Sequence, residues 1–326
     1  MIEARHGWGL LLLLLLAVTV IAVSLLTGSA DLTPSETWRA MFGGGGDLAA
    51  AVMQQVRLPR TMSAFAVGSL LGLAGTLLQA LFRNPLADPY VLGVSGGAAV
   101  GALSGMLLGA GLTGLHVFAT AGALLVGLLT LSLGRGGGLL RLLLTGVVLA
   151  STCGALVSVM LAVADNSQLR GMVFWLAGDL SWALSPWPAL MLALVGMLAA
   201  LVFGRLLNVL AAGEMRSASL GLPTGAARAI TFLIAALLTA VAVISAGPVG
   251  FVGLIAPHLV RLALGTADHR VVAPGAALAG GALLCLADLA SRTVAAPRQL
   301  PVGAVMALIG APLFLLLLRR QTRASK

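Results

Sequence analysis

Ser95 is the residue whose surroundings come nearest to those of a catalytic nucleophile. It stands in GVSGG, which matches both the Gly-x-Ser-x-Gly turn of hydrolases and the Gly-x-Ser-Gly of intramembrane serine proteases. A hydrolase nucleophile needs a strand–turn–helix, which this apolar segment does not predict, and a protease needs a base, for which only His258 is near another apolar segment. Glycines at 93, 97, 101, 105 and 109 instead predict a smooth helix stripe that packs against a second helix. We interpret Ser95 as part of that packing surface.

Other catalytic and metal-binding patterns are absent from the sequence. It has no GxxxxGK[ST] or HExxH motif, and Lys326, the last residue, is the only lysine, so no P-loop ATPase site can form. Cys153 and Cys285 lie in apolar runs without CxxC spacing or a neighbouring histidine, which predicts buried apolar side chains. We therefore expect that the chain is not an enzyme and binds no metal or cofactor itself.

The acidic residues bear on whether the chain could be an ion-coupled carrier. Asp288 is the only one of the ten acids inside an apolar segment, and Arg292 follows four residues later, so a helical ion pair is the simplest prediction. Ion-coupled carriers usually keep an ionisable group at the middle of the membrane, because coupling needs a charge that changes state there. An ion-coupled secondary transporter is therefore disfavoured, and a separate ATPase subunit is favoured.

Composition places most of the chain in lipid. Of 326 residues, 60% are hydrophobic and only 9% are charged, and the mean hydropathy is +1.08. A soluble domain of this size cannot bury so much apolar surface, so we predict one polytopic membrane domain over residues 1–326. The net charge of +9 comes from single arginines scattered between apolar runs, which argues against nucleic-acid binding.

About ten membrane-spanning helices are predicted, one of them broken. The break is expected within Val249–Leu264, because several glycines and prolines oppose one smooth helix through this stretch: Gly247, Pro248, Gly250, Gly253 and Pro257. Broken helices at membrane depth are typical of transporters. The ten apolar segments are Trp8–Gly28, Thr61–Phe82, Val91–Gly111, His116–Leu133, Leu142–Ala164, Pro186–Phe203, Ala229–Ala246, Val249–Leu264, Val272–Leu289 and Val302–Leu318.

Charge distribution predicts that both termini are cytoplasmic. This orientation puts 13 of the 19 lysines and arginines inside, as the positive-inside rule requires. It leaves residues 31–60 and 165–185 as periplasmic segments and 205–228 as the longest cytoplasmic loop. Trp175 and Trp182 in the second periplasmic segment are expected to anchor it at the membrane interface.

Seven segments resemble the permease subunits of ABC importers that take up ferric siderophores, haem and vitamin B12. NPLADP together with GLIAPHLVR is the most specific pair, and all seven occur in the family's order. One departure is Gln299, which stands where the family usually has Glu before Leu-Pro. The segments are RLPR (57–60), LLQALFRNPLADPYVLGVSGGA (77–98), FWLAGDLSW (174–182), AAGEMRSASLGL (211–222), GPVGFVGLIAPHLVR (247–261), ADLASR (287–292) and QLPVGAVMALIGAP (299–312).

The resemblance implies an all-α permease that works as a machine of several chains. It implies a second copy of itself, two ATPase subunits that bind ATP-Mg, and a periplasmic binding protein, all assembled in the lipid of the bacterial inner membrane. The cargo implied first is an iron chelate, either a ferric siderophore or haem, and the alternative is vitamin B12. The binding protein holds most of the ligand specificity in such importers, so the permease sequence does not choose between them.

The resemblance also assigns two sets of contact residues. Arg57, Arg60 and Arg292 match positions that offer basic groups to glutamates of the binding protein, and we expect them to be exposed on the outside. The predicted contact with the ATPase is a short helix in the long inner loop, formed by Glu214, Ala218, Ser219, Leu220 and Gly221.

A channel between two copies is the last implication of the resemblance. Leu139 and Leu140 fall where the family places its cytoplasmic gate, which here would be hydrophobic and would close by packing and dewetting. The fifth segment is expected to line the path. Its polar side chains are Thr145, Ser151, Thr152 and Ser158.

Overall fold

The computed structural model describes residues 2–28, 38–40, 47–134, 136 and 138–324, and within these ranges it contains helices and no strand. This confirms the predicted all-α class. A π-helix (Val52–Arg57) and two 3-10 helices (Pro89–Leu92 and Leu180–Trp182) interrupt the α-helices. The α-helices are α1 (Ile2–Leu26), α2 (Asp47–Ala51), α3 (Leu58–Phe82), α4 (Val94–Leu107), α5 (Gly111–Gly134), α6 (Gly138–Val163), α7 (Asn166–Leu176), α8 (Trp187–Ala211), α9 (Glu214–Ser219), α10 (Thr224–Ala246), α11 (Val252–Leu264), α12 (His269–Thr293) and α13 (Val302–Ala324).

Each of the ten predicted apolar segments contains a helix. Seven described helices are long and apolar enough to cross a membrane, which supports a multi-pass membrane protein. Three apolar helices are shorter: α4, α11 and the first part of α13. The number of complete crossings and the side on which the termini lie therefore stay predictions.

The predicted break lies between α10 and α11. Helix α10 ends at Ala246, the chain passes through Gly247 at a φ of +65° and Phe251 at +69°, and α11 starts at Val252. These positive φ values belong to the left-handed region, which ends a right-handed helix. The prediction that Pro257 also interrupts the helix is wrong, because α11 continues through it to Leu264.

A side chain from α3 explains how α11 tolerates its proline. Proline has no N–H, so the carbonyl of Gly253, four residues earlier, loses its intrahelical donor. Gln79 Nε2 lies 3.3 Å from that carbonyl and 3.4 Å from the carbonyl of Leu254, and donates to both. Arg261 Nη1 in turn donates to Gln79 Oε1 at 2.6 Å, which holds the amide in this orientation. Such repair by a neighbouring helix lets a proline remain within a membrane helix.

Helices α3 and α12 form the centre of the bundle, and α6 lies at its edge. In the most apolar stretch of each helix, 83% of α3 and 78% of α12 are buried, against 11% of α6. A Cβ at Gly68 of α3 would collide with the backbone of Gly280 in α12, so the two helices approach at backbone distance. The exposed side of α6 therefore has no protein cover within the described chain.

The predicted glycine stripe packs α4 against α5. A Cβ at Gly101 would overlap the backbone of Phe118, and one at Gly97 would overlap that of Gly122. This confirms the packing interpretation for those two glycines. It is wrong for Gly109, which lies beyond the end of α4 with open space around it.

Candidate functional site

A buried carboxylate holds two arginines at the end of the bundle that the predicted topology places outside. Asp288 Oδ1 accepts from Arg60 Nε at 2.9 Å, and Asp288 Oδ2 lies 2.9 Å from Arg292 Nε as an ion pair without hydrogen-bond alignment. The Arg292 contact confirms the predicted helical pair. Asp288 is fully buried, so two opposite charges offset the cost of removing its carboxylate from water.

Arg57 and Arg292 cap the C-terminal end of α1. The last carbonyls of a helix lack intrahelical donors, and a cation near them also interacts favourably with the helix dipole. Arg57 Nη1 donates to the carbonyls of Leu25 and Leu26 at 3.2 and 3.4 Å. Arg292 Nη2 donates to Ser24 Oγ at 2.8 Å and to the Ser24 carbonyl at 3.3 Å. Both guanidinium groups are therefore committed to holding α1.

The expectation that all three arginines are exposed is wrong. Arg57 and Arg292 are only 3% and 5% exposed, and the Arg60 side chain is 10% exposed. Arg60 differs from the other two because its Nη1 donates to two exposed residues, Gln299 at 2.9 Å and Ser181 at 3.2 Å. The structure brings the three arginines to one end of the bundle and leaves their docking role a prediction.

The predicted second periplasmic segment, residues 165–185, is mostly helical and lies beside this cluster. It contains α7 and the 3-10 helix Leu180–Trp182, whose first turn is capped by Asp179 Oδ1 accepting from Ser181 N at 2.9 Å. The anchor interpretation is wrong for Trp175, which is fully buried in the core. Of the predicted first periplasmic segment, residues 31–37 and 41–46 lie outside the described residues, and residues 47–60 belong to α2, the π-helix and the first turn of α3.

The predicted inner loop is shorter than residues 205–228. Helix α8 runs on to Ala211 and α10 starts at Thr224, so the connection covers 212–223. The predicted contact residues form α9, which starts at Glu214, and its exit, where Leu220 is 70% exposed and Gly221 has a φ of +76°.

Ser217 fastens α9 to the end of α8. Its hydroxyl lies 2.7 Å from the carbonyls of Val209 and Gly213, and its side chain is fully buried. Ala218 and Ser219 are exposed on the surface of the segment. These bonds fix the position of the exposed residues of α9 relative to α8, as a contact that transmits force would require.

The predicted gate residues adjoin a cavity at the end of the bundle that the predicted topology places inside. Leu139 and Leu140 lie in the first turn of α6, where Leu140 is 67% exposed and Leu139 packs partly against the core. A cavity of about 490 Å³ adjoins them. Its lining includes Arg83, Asn84 and Arg228.

The hydroxyl groups of α6 are donors to their own helix. Each of the four predicted path residues donates to the carbonyl four residues earlier, at 2.8 to 3.0 Å. Each hydroxyl proton is used in that bond, and the oxygen lone pairs remain available as acceptors. The residues are Thr145, Ser151, Thr152 and Ser158.

Two carboxylates outside the membrane-spanning helices have shifted pKa values in opposite directions. Burial raises the pKa of Asp88, between α3 and α4, to about 6, although its oxygen also accepts from Tyr90 N at 2.8 Å. Hydrogen bonds from the Arg270 side chain hold the pKa of Asp268 well below its usual range, with a further contribution from Asn208. Asp268 caps the start of α12, so its charge helps that helix begin.

A comparison with protein-family models identifies the family of this chain. The model of the FecCD transport family matches residues 13–320, nearly the whole described bundle. This chain belongs to the FecCD transport family. The predicted class, an ABC importer permease, is therefore confirmed, and no enzymatic activity is implied for this chain.

Curated relatives of this FecCD protein are similar over their full length. The chain is 39% identical over 322 residues to the vitamin B12 import system permease protein BtuC of Escherichia coli O157:H7, covering 96% of this chain and 95% of that one. It is 40% identical over 329 residues to the protein of the same name from Salmonella typhi, covering 98% of both.

Solved structures support the same fold for this family member. A structure described as an inward-facing conformation of a metal-chelate type ABC transporter matches with a TM-score of 0.85 and 32% identity, covering 96% of this chain and 99% of that one. PsaBC from Streptococcus pneumoniae, in complex with Fab, matches with a TM-score of 0.57 at 16% identity and shows similarity of fold alone.

The sequence analysis missed several residues that organise this FecCD protein. Ser24 and Gln79 lie in apolar helices, and their partners Arg292 and Gly253 lie 268 and 174 positions further along the chain. A polar side chain in a membrane helix is itself a cue, because it needs a partner there. The identity of the partner depends on which helices pack together.

Proposed function

We propose that this chain is the inner-membrane permease subunit of an ATP-driven importer for a metal chelate delivered by a periplasmic binding protein. Two copies form the path, and two separate ATPase subunits bind ATP-Mg at the inner end. The observation that carries the proposal is Asp288. It is the one acid within the described apolar stretches, and its two oxygens pair with Arg60 and Arg292. Ion-coupled carriers keep an ionisable group at the middle of the membrane, whereas this carboxylate is a structural partner of two arginines near the end of α12.

The second copy is supported by the exposure of α6. This helix is the least covered of the described spans, and its side chains include hydroxyls that donate inward to their own carbonyls. A path between two such faces would be weakly polar, which suits a conduit that must release its cargo. Leu139 and Leu140 would then meet their counterparts near the inner mouth.

The contacts with the other subunits are proposed to lie at the two ends of the bundle. The exposed residues of α9 and its exit, fixed by Ser217, are proposed to seat the ATPase. At the outer end, the surface above Arg57, Arg60 and Arg292 is proposed to receive acidic groups of the binding protein. The chain itself is proposed to hold no metal and no cofactor.

Vitamin B12 is the cargo to test first. The names of the curated relatives at 39% and 40% identity support it. An iron chelate, the cargo favoured by the sequence resemblance, is the second candidate, and the metal-chelate description of the 32% identical structure supports it.

Reconstitution tests both the proposed assembly and the identity of its cargo. The permease is assembled in proteoliposomes with the ATPase and the binding protein encoded beside it, and uptake of labelled cobalamin, ferric siderophore and haem is measured. We expect uptake of one of these that requires ATP and the binding protein together. Robust uptake driven by a proton or sodium gradient without ATP would refute the proposal.

A further inference from the structure

Arg60 is held by a charged group on one edge of its guanidinium and by neutral groups on the other. Its Nε donates to the buried carboxylate of Asp288 at 2.9 Å. Its Nη1 donates to Gln299 Oε1 at 2.9 Å and to Ser181 Oγ at 3.2 Å, and both of these residues are exposed. The guanidinium thus has one edge against a buried carboxylate and another against two exposed residues.

The hydrogen bonds from Arg60 to its two neutral partners are weaker than its bond to the carboxylate of Asp288. A hydrogen bond from a guanidinium to a carboxylate is roughly twice as strong as one between neutral groups, so an incoming carboxylate would replace the amide oxygen of Gln299. Such an exchange would leave Asp288 undisturbed, because it is bound to a different nitrogen. Ser181 would compete less well than a carboxylate, since the hydroxyl that accepts from Arg60 is uncharged.

The other two arginines are not free to make this exchange. Arg57 Nη1 and Arg292 Nη2 donate to the last carbonyls of α1. Breaking those bonds would leave these helix carbonyls without donors. Their positive charges remain in place, and the described cluster of Arg57, Arg60, Arg292 and Asp288 contains three guanidinium groups and one carboxylate. The excess of positive charge would attract an acidic surface while Arg60 makes the direct contact.

We propose that Gln299 is a neutral placeholder that keeps Arg60 available to an acidic protein surface. Its amide occupies the outer edge of the guanidinium until a carboxylate of the binding protein takes its place, and Asp288 is the positioning residue that aims Arg60 for that exchange. This rests on the proposed function, and it narrows the direct docking contact from three arginines to Arg60 and the 299 segment.

Two substitutions at one position test the exchange. In the full permease–ATPase assembly in nanodiscs, Gln299→Glu places an internal carboxylate on Arg60 Nη1, whereas Gln299→Ala removes the placeholder. The probe is the binding protein used for reconstitution, titrated at several salt concentrations. We expect Gln299→Glu to raise its Kd about threefold to tenfold and to flatten the salt dependence. Gln299→Ala should leave the Kd unchanged or lower it.

A measurement without the partner tests the internal contact separately. Thermal unfolding of the wild-type, Gln299→Glu, Arg60→Gln and doubly substituted assemblies forms a double-mutant cycle. We expect Gln299→Glu to raise the melting temperature only when Arg60 is present. Additive effects would show that residue 299 does not act through Arg60, and would overturn the proposal.

Three binding results would also overturn it. These are an unchanged Kd for Gln299→Glu, an equal loss for Gln299→Ala, and an effect that follows the anionic lipid content of the nanodisc instead of the binding protein. Failure of the proposed function would give a different result. The wild-type assembly would then neither bind the binding protein nor change its ATPase activity when that protein is added.

Discussion

Arg292 of α12 donates to Ser24 Oγ of α1 at 2.8 Å, across 268 positions of sequence. The bond fastens the end of the first helix to the centre of the bundle. Because Arg292 also pairs with Asp288, the charge that holds α1 is the one that offsets the buried carboxylate. A residue predicted to face a partner is therefore part of the fold.

Removal of the Arg292 guanidinium should destabilise the protein before it affects docking. Arg292→Gln leaves Asp288 with one cation and α1 with unsatisfied carbonyls, and breaking a buried pair in this way costs about 3–5 kcal/mol. We expect a lower melting temperature and lower yield of folded protein in nanodiscs. The exposed neighbour Arg298 is the control, and Arg298→Gln should unfold like the wild type. Equal melting temperatures for both variants would contradict the capping role.

The repair of α11 by Gln79 predicts a rescue. Gln79→Leu keeps the volume but removes the donor for the Gly253 carbonyl and the acceptor for Arg261, and we expect a loss of about 1–3 kcal/mol. Pro257→Ala restores an N–H to that carbonyl, so the doubly substituted protein should lose less than Gln79→Leu alone. Thermal unfolding of the four proteins measures the coupling. A double variant that is as unstable as the single one would show that the proline is not the cause.

Two carboxylates predict opposite pH effects on stability. The pKa of Asp88 is raised to about 6 in the fold, above its unfolded value, so the folded state binds more protons and stability falls as pH rises from about 4 to about 6. Asp88→Asn keeps an acceptor for Tyr90 N and should raise the melting temperature above pH 6 while changing little near pH 4.

Asp268 serves as the matched comparison. Its pKa is lowered in the fold, so its contribution is present above the unfolded value and is lost as the solution becomes acidic. Asp268→Asn should lower the melting temperature at neutral pH and lose its effect in acid. Melting curves between about pH 4 and 8 check the sign for Asp88, and curves that extend down to about pH 2 check the sign for Asp268. A variant whose curve stays parallel to the wild-type curve within its own window would refute that assignment.

A bulky substitution at Ala218 tests the proposed contact with the ATPase. This residue is exposed on α9, so Ala218→Trp should fold normally yet uncouple ATP hydrolysis from uptake or prevent ATPase assembly. Ala226, which is exposed in the first turn of α10 outside the 212–223 connection, is the control. Hydrolysis and uptake are measured together in proteoliposomes. Wild-type coupling in Ala218→Trp would place the contact elsewhere.

The gate is tested by cross-linking between two copies. Leu140→Cys, at the exposed start of α6, should cross-link more readily than Leu139→Cys, which packs partly against the core. Leu142→Cys is the control, because Leu142 is buried within its own copy. Gel analysis with and without nucleotide should show that nucleotide changes the Leu140 product. A product insensitive to nucleotide would argue against a gate.

Local patterns were sufficient for the helices and for contacts within one helix. Apolar runs placed all ten apolar helices, and four-residue spacing predicted the pair of Asp288 and Arg292. These succeed because the backbone geometry of a helix relates residues three or four apart whatever surrounds it. The family resemblance rested on motifs of the same local kind.

Only the tertiary structure decided which polar groups meet. Arg60 and Asp288 are 228 positions apart, and Arg57 is buried because α1 lies across it, so neither could be read from spacing. The contacts depend on close approach between helix backbones, as at Gly68 and Gly280, which sets the rotation and height of one helix against another. In an apolar bundle, those rotations determine whether an arginine reaches solvent, a carboxylate or the end of a helix.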